Sequence, residues 1–229
     1  MATDFLWKKR YLRPLLGAVA VLFTLVTLVY AYALTGVKAV GVYKYFHFLV
    51  STSTHIEAST HQVTLDGGAG YALRRGEREY VAYHVYMRGT DGERALEAVS
   101  LQGEEVELLS FGVEKLYLKT REDKRNAQTL LDAMELLYVY IRILSDEIAR
   151  LDGGATQESC KRVLRELSDQ LSYAEKEYAE RFTGFSSVCG ALAQGLKERT
   201  EEVIYTRDLR YLLCESCVAY VSLGEKYAL

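Results

Sequence analysis

The sequence predicts an α+β chain in three parts: an N-terminal transmembrane helix, a small β-β-α-β module and a C-terminal antiparallel three-helix bundle. Three observations carry this. An uncharged apolar run covers Leu15 to Leu34, residues 63 to 119 alternate with the period of strands, and from Leu130 onward apolar residues recur at spacings of four and three.

The apolar run reads LLGAVAVLFTLVTLVYAYAL. At ~1.5 Å per residue, a helix of that length matches a hydrocarbon core of ~30 Å. Lys8, Lys9, Arg10 and Arg13 precede it against Asp4 alone. The positive-inside rule then makes residues 1–14 a cytoplasmic tail, 15–37 a single-pass transmembrane helix, and the remainder extracytoplasmic. A cleaved signal peptide is the competing reading, since Ala31-Tyr32-Ala33 fits a small-x-small cleavage site. Residues 38–62 are expected to be a juxtamembrane linker, with Val40 to Val50 either interfacial or a continuation of the helix.

The module spans 63–120. Val63 and Leu65 open a strand that continues through Gly67-Gly68-Ala69-Gly70-Tyr71-Ala72-Leu73. Arg74-Arg75-Gly76-Glu77 is a tight polar turn, so the next strand, Glu79 to Met87, pairs antiparallel. Period two places Val81, Tyr83 and Val85 on one face and Tyr80, Ala82, His84 and Tyr86 on the other. A helix from Glu93 to Gln102 buries Ala95, Leu96 and Val99, and Gly103 ends it. Val106 to Lys119 returns as a strand that Gly112 interrupts.

The bundle spans 121–229. Leu130, Met134, Leu137, Ile141, Leu144, Ile148 and Leu151 form a heptad seam, and Gly153-Gly154 stops it. Cys160, Leu164, Leu167, Leu171, Ala174, Tyr178 and Phe182 form the second seam. A third helix from Ser186 to Leu223 bends near Arg207. Short glycine loops between long helices make neighbours antiparallel.

Composition bounds the chemistry. With 229 residues and a net charge of −3, the chain has no electrostatic case for nucleic acid. Eighteen tyrosines against seven phenylalanines suit half-wet surfaces. Cys160, Cys189, Cys214 and Cys217 all lie in the helical part. Cys214-Glu-Ser-Cys217 has the spacing of a redox pair or half a zinc site, but no second Cys-x-x-Cys and no His-x-x-x-His accompanies it. Small apolar core residues are the plainer assignment. No phosphate loop, hydrolase elbow or paired carboxylates can be assembled, so neither catalytic residues, a metal site nor a cofactor is expected.

The segment Glu79 to Gly103, EYVAYHVYMRGTDGERALEAVSLQG, resembles the first half of a SPOR domain. That family has a strand ending in an aromatic, a turn, a helix and a glycine. Here Tyr86 takes the aromatic position, and Ala95, Leu96 and Val99 take the helix stripe. The family's glutamine-x-glycine signature is absent, and its second half is replaced by Glu105 to Lys119. The resemblance implies a membrane-anchored envelope protein of sporulation or cell division in endospore-forming clostridia. It implies binding of peptidoglycan glycan strands on an open sheet face through Tyr71, Tyr80, His84 and Tyr86. The function expected is non-enzymatic: the module recognises wall glycan or a protein partner. The alternatives are an exported thiol-redox or metal protein using Cys214 and Cys217, and a scaffold assembling with other envelope proteins through its bundle.

Overall fold

A computed structural model describes residues 21–30, 37–52, 56–100, 105–119 and 124–226. Residues 21–30 form helix α1. The other elements, in order, are β1 (Val37–Ser51), α2 (Ile56–Leu65), β2 (Tyr71–Arg75), β3 (Arg78–Tyr86), α3 (Gly89–Ser100), β4 (Val106–Lys119), α4 (Lys124–Asp152), α5 (Gln157–Tyr178), α6 (Thr183–Thr200) and α7 (Thr206–Glu225).

The membrane expectation is corrected. Among the described residues no helix is long and apolar enough to cross a membrane. Of the apolar run, residues 21–30 are described, and they are helical. Val37, expected as the end of the transmembrane helix, is instead the first residue of a strand. The basic tail of residues 1–14, and residues 15–20 and 31–36, lie outside the described residues. The single-pass attachment therefore does not stand, and neither do the extracytoplasmic placement and the integral membrane partnership that followed from it. Within α1, Thr27 turns its hydroxyl back onto the Phe23 carbonyl at 2.7 Å, and Val21, Phe23, Val26 and Tyr30 are all exposed.

The supposed linker contains the central strand. The sheet is antiparallel in the order β2-β3-β1-β4. The elements from β1 to β4 thus follow β-α-β-β-α-β, the split arrangement of ferredoxin-like folds. Val63 and Leu65 belong to α2, not to a strand. Ser59 and Val63, four apart, form its buried face. The turn between β2 and β3 is as expected, with Gly76 at φ +62 supplying the left-handed residue.

Two bulges shape the sheet. The register shifts at Tyr83, where Val50 pairs Ala82 and Leu49 pairs His84. Opposed residues share a face, so Ala82 lies with Val50 and Val85 with Phe48. Phe48 and Val50, two apart, are on one side, and the alternation expected for β3 breaks at Tyr83. The second bulge is in β1, where Gly41 pairs Lys115 and Lys44 pairs Val113. Tyr43 adopts φ +51 there. β4 itself runs unbroken past Gly112, since the extra residues sit on its partner.

Phe46 faces the helices, packing its ring against Tyr138 of α4 and Tyr220 of α7. His47, one residue on, lies against Gly89 and Gly92 of α3. Leu49, Val81 and Val63 are buried on that second side. Both sheet faces are therefore covered, one by α4 and α7 and the other by α2 and α3. A close approach seats α7 on β4: a Cβ on Gly224 would collide with the Val113 side chain.

The bundle has four helices, not three. The expected helix from 186 to 223 is broken between Thr200 and Thr206 into α6 and α7. α4, α5, α6 and α7 pack as a ring, each on the next and α7 on α4. The seam of α4 from Leu130 to Ile148 is buried in one core cluster with Leu164, Leu171, Leu196, Leu213 and the sheet residues Phe46, Phe48 and Val50. Sheet and bundle share that core, so the boundary expected at residue 120 does not divide two packing units.

Candidate functional site

The four residues expected to bind glycan do not form an open platform. Tyr80 is 8% exposed and sits in the core beneath the bundle. Tyr71, at the start of β2, packs edge-on against Tyr211 of α7 with ring centroids 5.0 Å apart. Burial, then Glu215 nearby, pushes its phenol up to about 12. His84 and Tyr86 touch each other edge-to-face at 4.8 Å. The Tyr83 bulge separates this pair from Tyr80, so the face expected to carry all three does not exist.

His84 and Tyr86 lie near the Arg210–Asp152 pair, whose charges act on both. Arg210 of α7 donates from one terminal nitrogen to Asp152 at the end of α4 (2.7 Å) and from the other to the Gly67 carbonyl. One side chain thus joins α7, α4 and the loop between α2 and β2. Among the described residues, the Arg210 Nε and the His84 Nδ1 are buried without a hydrogen-bond partner. Desolvation, reinforced by the Arg210 charge, lowers the His84 imidazole to about 4, while Asp152 acts weakly the other way. His84 is half-buried, and a histidine held neutral beside a paired arginine is consistent with a packing element.

The thiols are enclosed. Cys160, Cys189, Cys214 and Cys217 are free and buried. Burial raises Cys214 and Cys217 well above the usual thiol range, and takes Cys189 up to about 12. Reactive thiols need the opposite shift and some access. Among the described residues no group of three His, Cys, Asp or Glu side chains could hold a metal ion.

An open groove of about 430 Å³ lies between α2, the start of β2 and α7, lined by Thr60, Thr64, Arg199, Arg207 and Tyr211 among others. Its arginines are committed. Arg199 donates to the Asp208 and Gly195 carbonyls at 3.1 and 3.0 Å, and Arg207 pairs with the Asp208 carboxylate at 3.3 Å.

One edge of the sheet is accessible as well. β4 is the outer strand of the sheet, fourteen residues long, and among the described residues no strand pairs with its far side. Ser110, Glu114 and Lys115 are exposed, whereas Phe111 and Glu107 are half-buried. The Phe111 ring meets Phe48 edge-on at 5.4 Å, and the Arg75 guanidinium lies 5.7 Å from its centre. The sequence reading missed this edge because it took Gly112 as a break and had not placed β1 beside β4. Compared with family models, curated proteins and solved structures, the chain matches none.

Proposed function

We propose that this chain is a non-enzymatic interaction protein that engages a protein partner through the edge of β4. The observation that carries the reading is the double coverage of the sheet. A β-α-β-β-α-β module has helices on one face, and here the chain's own bundle occupies the other. A glycan strand that needed the open face would have to displace α7, whose Leu213 and Tyr220 are wholly buried. Main-chain pairing at an outer strand needs no such displacement, because unpaired N–H and C=O groups along an edge accept a further strand directly.

The test is site-specific photocrosslinking in the native cell. A photoreactive residue at Ser110, on the edge, is compared with one at Tyr173, which is 69% exposed on α5. Protein adducts at Ser110 and not at Tyr173 are expected. Adducts at Tyr173 alone would move the interface to the bundle, and adducts at neither would sink the reading.

A further inference from the structure

We propose that the partner at this edge is a second copy of the chain, its β4 pairing antiparallel with the first about a two-fold axis at Phe111. The proposal rests on the edge reading above and adds the identity and register of what binds. Three features of β4 converge on it.

The first is continuity. Both irregularities near β4 lie on other strands, at Tyr43 in β1 and Tyr83 in β3. The outer edge of β4 therefore has no bulge, and its sequence VELLSFGVEKLYLK has no proline. These are two of the devices by which proteins stop edges from pairing.

The second is charge. In a two-fold pairing centred on Phe111, positions whose numbers sum to 222 stand opposite. Glu107 then faces Lys115 of the other copy, and Lys115 faces its Glu107, so the two attractive pairs flank the axis symmetrically. A slip of one position to a sum of 221 would set Glu107 against Glu114 in both halves. Opposite-charge pairs of this kind fix register as much as affinity.

The third is the centre. Phe111 meets its own copy at the axis, and a half-buried aromatic in contact with Phe48 is a suitable cross-strand partner. Its neighbours Ser110 and Gly112 oppose each other on the other face, where two small residues leave room for α3, which packs on β1 and β4 there. The result is one eight-stranded antiparallel sheet with a bundle at each end.

The test is sedimentation equilibrium on the full chain in neutral detergent, which shields the exposed apolar helix α1. The native chain is expected to dimerise. Glu107→Lys is expected to weaken the dimer about tenfold or more, and Lys115→Glu likewise. The double variant Glu107→Lys with Lys115→Glu is expected to restore it, because the pairs are exchanged intact. Circular dichroism of each variant separates lost pairing from lost folding. A monomer at all concentrations, or a double variant no better than the singles, overturns self-pairing. The broader edge reading fails separately, when Ser110 crosslinks to no protein at all.

Discussion

At the scale of single residues, burial decides what each candidate can do. His84 illustrates this. Its imidazole is lowered from 6.5 to about 4 because the ring is desolvated and Arg210 is near, with Asp152 opposing. The unfolded chain therefore takes up a proton between those values and the folded chain does not. Stability from this group is complete above about pH 6.5 and declines as pH falls toward 4, by up to about 3 kcal/mol in all. Urea unfolding at pH 7 and pH 4.5 should show that acid loss, and His84→Gln should flatten it. An unchanged slope would mean that the imidazole is solvated. The sequence supplied the residue types here but not their environment. His84 and Tyr80 were grouped on one face by alternation, and a single extra residue, Tyr83, separates them. Nothing in the local pattern marks that bulge, because it depends on how β1 and β3 pair. The cysteines were legible in the opposite sense: helical spacing and the lack of partner motifs already pointed to core packing.

At the scale of elements, the clearest departure is the break between α6 and α7. No glycine or proline stands between Thr200 and Thr206, so the period of the apolar residues runs through. The break is held from outside. Gln157, at the start of α5, donates to the Ile204 carbonyl and accepts from its N–H, both at 3.3 Å. Arg165 donates to the Thr200 carbonyl at 3.2 Å, satisfying the end of α6. Ile204 is thereby tucked into the core while Val203 and Tyr205 stay exposed. Gln157→Ala should cost about 1–2 kcal/mol by orphaning two backbone groups, and hydrogen exchange at the Ile204 amide should accelerate more than the global loss explains. Equal acceleration everywhere would show that the clamp is not local. The long α4 seam, by contrast, was legible in full from its spacing. Strand β1 was not, since its aromatic residues next to an apolar run fit an interfacial segment equally well.

At the scale of the whole molecule, the sheet and bundle form one packing unit. A chain ending at Lys119 would expose Phe46, Phe48, Val50, Leu109 and Val113 together. Such a truncation should fail to give a cooperative thermal transition and should bind a hydrophobic dye, whereas the full chain should unfold in one step. Two separate transitions in the full chain would argue for independent domains, as the change of period at residue 120 suggested. That suggestion was reasonable, because a switch from two-residue to heptad spacing marks a change of architecture. It carries no information on whether the two parts share a core. The position of β1 has a temporal consequence. Its central register is closed by β4, so that Val37 meets Lys119, and its bundle-facing side is covered by Tyr138 of α4 and Tyr220 of α7. At about 5–20 residues per second, the hundred or so residues after β4 take about 5–20 s to emerge. During that interval Phe46 and Phe48 lack the helices that bury them, so the emerging chain passes through a stage in which its aromatic strand is open to other chains.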